Sequence, residues 1–152
     1  MHRAAKLGID TFRIRRDLGD SFTYTGSGGT DLSGTTDKPL NRRTAPQTFD
    51  QEFTLYNLAH KVSVEKGKPV RVLRGYKGKS EFAPLEGYRY DGLYTVTRAW
   101  MAKGESGFKV TRFQFERLPG QAAIPTQTAT QRLLADAKAI RDAEDRAREL
   151  GE

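Results

Sequence analysis

A chain of 152 residues with a formal net charge of +7 and a sequence pI of about 9.8 is one basic domain with room for an appended tail. The absence of cysteine excludes disulfides, thiolate metal sites and cysteine nucleophiles, and two histidines leave a metal site or a Ser-His-Asp device with His60 alone. No run of about 18 apolar residues is present and no signal-type segment opens the chain, so neither a membrane span nor secretion is expected.

The acidic residues are scattered, with no close pair in an apolar setting, so the chain is not expected to be an enzyme. The positive charge is concentrated. Residues 51–120 carry 13 basic and 7 acidic side chains, against 8 and 6 before them and 5 and 6 after. An excess among the candidate strands suits a nucleic-acid-binding face as well as it suits a generic basic surface.

In chain order, residues 1–21 make a poor first element. Phe12 and Ile14 alternate, but Arg13, Arg15 and Arg16 crowd them, and an irregular, divergent arm is expected. Phe22 and Tyr24 then alternate in a half-buried strand pattern that runs into Gly26, Ser27, Gly28 and Gly29. Alone, that turn fits a flexible connector better than an edge for a flat polar ligand.

Thr35 to Ala45, with Pro39 and the triplet Asn41-Arg42-Arg43, reads as a long exposed loop. Pro46 to Ala59 is the first helix candidate, capped by Thr48 or Asp50, with Phe53, Leu55 and Leu58 as its apolar side. His60 follows as a surface or cap histidine, and Gly67 ends the linker.

Three strands are expected, at Pro69–Tyr76, Gly92–Trp100 and Phe108–Leu118. In the last, Phe108 and Val110 have the opposite parity to Phe113 and Phe115, which predicts a bulge near Thr111 or Arg112. Residues 119–130 read as a linker and 131–152 as a charged helical tail. Leu133, Ala137, Ile140 and Ala147 give that helix only a thin apolar stripe, which predicts a solvated element, marginal by itself.

Three blocks in order, FTYTGSGGTDLSG (22–34), NRRTAPQTFDQ (41–51) and the long stretch 67–118 containing Tyr90-Asp91-Gly92, resemble the SRA (SET- and RING-associated) or YDG domain. The similarity is to the eukaryotic, chromatin-associated type, and it covers most of residues 22–118. It implies an α+β, mainly β fold: an incomplete twisted barrel of PUA-like type, with one packed helix and a charged C-terminal helix. It also implies a non-enzymatic, cofactor-free and metal-free nuclear module that binds double-stranded DNA at methylated CpG, flipping 5-methylcytosine into a pocket. Chromatin- or histone-associated proteins are the further partners implied, and no membrane.

Carried over by motif, Tyr24 matches the tyrosine that stacks on the flipped base, and Thr25 and Ser27 match the wall that meets its methyl group. Gly26, Gly28 and Gly29 match the turn that lets backbone approach base or phosphate. Asn41, Arg42 and Arg43 match the loop that enters the duplex, Arg43 filling the vacated space and Asn41 reaching the opposite strand. An insertion, Thr35 to Leu40, lengthens that loop. Tyr90, Asp91 and Gly92 are expected to hold the fold. Family members precede the first block with a Gly-Gly-Tyr-Glu-Asp-Asp run that supplies a second stacking tyrosine and a carboxylate for the cytosine amino group. Here Phe12 and Arg15 stand at those positions, and the minor-groove thumb has no counterpart. The expectation is an N-terminally truncated domain with weakened or lost methyl discrimination and retained basic-face binding. The alternatives are a specificity domain related to modification-dependent nucleases, and a degenerate domain that retains only protein interaction.

Overall fold

A computed structural model describes residues 14–31, 33 and 46–151. The calls on Phe12, on the loop Thr35–Ala45 and on Asn41, Arg42 and Arg43 lie outside the described residues. Five strands form one antiparallel sheet: β1 (Ile14–Arg15), β2 (Ser21–Thr25), β3 (Val70–Gly75), β4 (Tyr88–Lys103) and β5 (Lys109–Arg117), in the order β1-β2-β5-β4-β3. The fold is mainly β, as expected, with two helices, α1 (Leu55–Lys66) and α2 (Ala129–Glu149).

Alternation writes the core. Phe22 and Tyr24 of β2, Val70 and Val72 of β3, Tyr94 and Val96 of β4, and Phe113 and Phe115 of β5 point to one face and are buried there. Phe22 stacks on Phe115 with ring centroids 4.9 Å apart, and Phe53 of the segment before α1 meets Phe113 edge to face at 6.1 Å. Helix α1 packs across β4 and β5.

Five local expectations are corrected. The helix begins at Leu55 rather than Pro46, because Gln47 to Gln51 runs extended beside β5: the Gln51 N–H donates to the Lys109 carbonyl at 2.9 Å, and Lys109 N–H donates to Asp50 Oδ1 at 2.7 Å. Neither Thr48 nor Asp50 caps it; Thr54 precedes it and Gly67, no linker end, closes it. Its inward residues are Asn57 and His60, whereas Leu55 is 84% exposed and Leu58 is also exposed. The bulge lies not in β5 but in β4, between Val96 and Arg98. Thr111, Phe113 and Phe115 keep one face throughout, and Val110 is buried on the other.

Ile14 and Arg15, read from sequence within an irregular arm, pair with Tyr24 and Thr23 as the edge of the sheet. The charged helix runs Ala129–Glu149 with no buried residue. A reciprocal capping box of Thr128 and Gln131 starts it. Arg132 ties it down by donating to the carbonyls of Tyr76 at 2.6 Å and Ala83 at 2.8 Å.

Candidate nucleic-acid interface

Strand β2 delivers the chain from Tyr24 and Thr25 into the glycine turn, and two side chains fix that turn. Asn57 Oδ1 accepts from the Ser27 N–H at 3.0 Å, and Asn57 Nδ2 donates to the carbonyls of Ser27 at 2.7 Å and Glu52 at 2.8 Å. Gln51 Nε2 donates to the Gly26 carbonyl at 3.1 Å, while its Oε1 accepts from the Thr111 N–H at 2.9 Å. Both amides are buried. The turn is therefore a clamped element and not a flexible connector.

Gly26 is where close approach demands glycine. A Cβ there would run into Thr111 Oγ1 and Asn57 Oδ1, so alanine would have to break the clamp. The Gly26 N–H donates to the Thr111 carbonyl at 2.8 Å. At the far end, the Gly29 carbonyl accepts from the N–H groups of Thr48 and Phe49, at 2.8 and 3.1 Å. Gly28 is exposed, and its N–H and that of Gly29 have no protein acceptor among the described residues. The backbone groups left for a ligand are thus at Gly28 and Gly29, while those of Gly26 and Ser27 serve the clamp.

Tyr24 is 6% exposed. His60 lies beside its ring at 5.5 Å between centroids with a 31° tilt, and Phe115 meets it edge-on at 6.0 Å. A base can stack on Tyr24 only once one face of the ring is uncovered. His60 itself is 1% exposed, which corrects its expectation as a surface or cap residue. Its Nδ1 lies 2.6 Å from the Tyr56 carbonyl, which makes that nitrogen the donor and leaves Nε2 a bare acceptor, buried without a partner. Burial pushes the imidazole below its ordinary value of 6.5, so the ring stays neutral.

The Tyr90-Asp91-Gly92 segment is a bulge in β4. Val72 pairs with Gly92 and Leu73 with Tyr90, so Asp91 is the extra residue, and the bulge turns its carboxylate inward. Gly92 takes φ +101°, and a Cβ there would strike Gln121, which clamps Leu93 from the other side. Tyr90 stays exposed.

Asp91 faces Arg74, the buried centre of a network that the sequence did not single out. All five guanidinium N–H bonds of Arg74 find acceptors. Nε and Nη2 fork onto Asp17 at 3.0 and 2.7 Å, Nη1 reaches Asp91 at 2.7 Å and the Tyr94 hydroxyl at 3.1 Å, and Nη2 also reaches the Gly19 carbonyl at 2.8 Å. Arg89 braces the other oxygen of Asp91. Burial alone would push the Arg74 guanidinium down; its bonds to Asp17, Tyr94 and Asp91 overcome this and hold it above its ordinary range. Arg16, in left-handed backbone at φ +47°, turns the chain between β1 and Asp17. A cavity of about 360 Å³ lined by Arg16, Asp17, Arg74, Lys77 and Lys79 opens beside this network; none of Tyr24, Thr25 and Ser27 lines it.

Arg15, which stands where the resemblance would place the base-reading carboxylate, is exposed and pairs with Glu105. Among the described residues no group of three His, Cys, Asp or Glu is placed to hold a metal ion, and no helix is long and apolar enough to cross a membrane.

The family model of the SAD/SRA domain matches residues 8–121. The chain belongs to the SAD/SRA family. A UHRF1-like protein of Cryptococcus neoformans var. grubii serotype A is 55% identical over 111 residues, 72% of this chain and 32% of that protein. The chain therefore spans about a third of that relative's length. Among solved structures, the SRA domain of SUVH5 bound to fully hydroxymethylated CG DNA is 34% identical, with a TM-score of 0.58 over 76% of this chain and 65% of that one. KRYPTONITE in complex with mCHH DNA, an H3(1-15) peptide and SAH is 38% identical, with a TM-score of 0.58 over 77% of this chain and 22% of that one. The modification-dependent TagI restriction endonuclease is 37% identical, with a TM-score of 0.60 over 70% of this chain and 35% of that one.

Proposed function

We propose that the chain is a module that binds duplex DNA and reads a modified cytosine, 5-methylcytosine at CpG first, by extruding the base against the wall formed by Tyr24, Thr25 and Ser27. The observation that carries the reading is the turn itself. Asn57 and Gln51 hold Gly26 to Gly28 in one conformation next to a buried aromatic, in a chain whose structural neighbours were solved on methylated and hydroxymethylated DNA.

Extrusion costs a few kcal/mol of stacking and pairing, and a stacking platform returns about 1–3 kcal/mol per base. Tyr24 is the platform in this reading, with His60 behind it as the support that sets the plane of the ring. Gly28 and Gly29 offer their N–H groups to base or phosphate. The loop of Asn41, Arg42 and Arg43 enters the duplex, where Arg43 fills the vacated space and Asn41 reaches the opposite strand. Tyr90, Asp91 and Gly92 act at one remove: the Asp91–Arg74 network anchors the residues that lead into β2.

The module works without catalysis, in the nucleus and on chromatin. The H3 peptide in the KRYPTONITE complex makes a histone-bearing partner the natural company of such a domain. The TagI neighbour supports a second setting for the same reading, as the specificity part of a modification-dependent nuclease. A magnesium-dependent cleavage assay on methylated plasmid separates the two settings.

The test is equilibrium titration against matched duplexes that differ only in methylation of one CpG. The methylated duplex is expected to bind more tightly, by a margin narrowed from what a complete pocket would give because Arg15 stands in place of the base-reading carboxylate. Tyr24→Leu, which keeps apolar bulk in the core but removes the ring, is expected to cut its affinity by about tenfold, the worth of one stacking contact, with little change on the unmethylated duplex. A Tyr24→Leu variant that keeps its fold and its methyl preference would sink the assignment of Tyr24.

A further inference from the structure

The face of the sheet opposite the core carries an arginine that has no ion pair among the described residues. Phe22 and Tyr24 point to the core, so Thr23 and Thr25 point away from it; Thr111 and Phe113 point in, so Arg112 and Gln114 point out. Arg112 sits directly across from Thr25 on one side and Trp100 on the other. Beyond the β4 bulge, Arg98 pairs with Gln114 and so shares this outer face.

Seven arginines of the described structure hold acceptors, two of them, Arg146 with the Asp142 carbonyl and Arg148 with Asp145, within α2. Arg74 has its network, Arg89 has Asp91 and the Phe82 carbonyl, Arg117 has the Asp91 carbonyl, Arg132 has three carbonyls and Arg15 has Glu105. Arg112 has no ion pair among the described residues, and its Nε is buried without an acceptor. Desolvation, and then the neighbouring charge of Arg15, push the Arg112 guanidinium downward. Arg98 lies over the Trp100 ring at 4.4 Å and likewise has no carboxylate partner among the described residues. Among the described residues the acids near this face do not compensate: Glu105 is taken by Arg15, and Glu116 lies beyond Gln114 without an ion pair.

We propose that Arg112 and Arg98, with Trp100 between them, form a phosphate-binding face for the DNA backbone that flanks the extruded nucleotide. The proposal rests on the duplex-binding reading above and adds a contact surface to it. Three physical points carry it. A partly desolvated guanidinium beside a like charge is relieved by an anion, and a phosphate oxygen pair matches the planar fork of arginine. Stacking on Trp100 covers the face of Arg98 and leaves its edge donors for such an anion. The patch is also continuous with the glycine turn: Thr25, opposite Arg112, leads into Gly26, whose N–H is bonded to the residue before Arg112. Arg98 and Arg112 are diagonal cross-strand neighbours, about 7–8 Å apart, so both can meet one backbone. That continuity favours nucleic acid over an acidic protein segment as the occupant.

The experiment is a salt series of equilibrium affinities for one short duplex, methylated and unmethylated, with the full chain. Each phosphate contact contributes about 0.9 to the slope of log affinity against log salt. Arg98→Gln with Arg112→Gln should flatten the slope by about two, and should weaken both duplexes by the same factor. Arg98→Gln alone, at an exposed position that the fold does not need, should flatten it by about one. Arg71→Gln removes an equal charge from an exposed site on edge strand β3 and should leave the slope unchanged. Thermal melting of each variant checks that it is folded. An unchanged slope in folded Arg98→Gln would overturn the proposal while leaving the base-reading function standing if methyl preference persists. Wild-type chain that binds no duplex would overturn both.

Discussion

Arg74 occupies the place in β3 where the alternation of Val70 and Val72 would put a third apolar side chain. It is 1% exposed and pairs with two carboxylates that come from opposite ends of the fold, Asp17 after β1 and Asp91 in the β4 bulge. Replacing it leaves two buried carboxylates facing each other, so Arg74→Ala should lower stability by about 3–5 kcal/mol, read from denaturant midpoints. Arg74→Lys should restore little of this, because a point charge cannot fork onto Asp17 and also reach Asp91 and Gly19. A lysine variant as stable as wild type would show that charge alone, without the planar fork, holds the network. His60 makes the second residue-scale prediction. Its folded-state value lies below 6.5, so under pH 6.5 the unfolded chain binds more protons. Stability present above pH 6.5 is therefore lost as the pH falls towards the folded-state value. The thermal midpoint should drop between pH 7.5 and 5.5, and His60→Phe, which keeps a ring beside Tyr24, should flatten that drop. Equal pH slopes in the two proteins would exclude His60 as the group responsible.

At the scale of elements, the strands were legible and the clamp was not. Phe22 with Tyr24, Val70 with Val72, and Phe113 with Phe115 announce their faces by period two, and the sheet that forms is the one their alternation demands. Helix α1 escaped that logic because its buried residues are Asn57 and His60, which an apolar-stripe search discards, with Val64 as the apolar residue packed on the core, while Leu55 and Leu58 face out. β5 keeps its alternation throughout, with Val110 buried on the outer face, and the extra residue lies across the ladder in β4, where no inspection of β5 alone can locate it. The glycine turn reads as a connector for a similar reason: its rigidity comes from Gln51 and Asn57, 25 and 30 residues further along the chain. Asn57→Ala should make this visible. It removes the acceptor of the Ser27 N–H and the donor to the Ser27 carbonyl, at a cost of about 1–3 kcal/mol for the buried groups left unpaired. Amide exchange at Ser27 should accelerate well beyond the change at Phe113 in the core. Equal acceleration at both would mean that the asparagine supports the whole domain and not the turn.

For the whole molecule, charge, fold and kinship converge on the same use. The excess of basic residues falls in 51–120, and that segment supplies Arg98 and Arg112 to the outer face and Arg74 to the interior, so only part of the charge is available to a polyanion. Composition alone could not make that division, because it depends on which arginines the fold pairs internally. Membership in the SAD/SRA family was legible from three ordered blocks, since each block fixes a different part of the domain: the turn, the segment beside β5, and strands β3 to β5 with the Asp91 bulge. The contribution of residues 14–20 was not, because Ile14, Asp17 and Gly19 act through a two-residue edge strand and an interior arginine 55 to 57 residues away. The central claim is that this molecule distinguishes a modified cytosine by the wall that Tyr24 begins, and it is tested most directly by the affinity ratio between matched methylated and unmethylated duplexes at one salt concentration. The account predicts tighter binding of the methylated duplex, by about tenfold, with the preference lost in Tyr24→Leu; equal affinities for the two duplexes in the wild-type chain would contradict it.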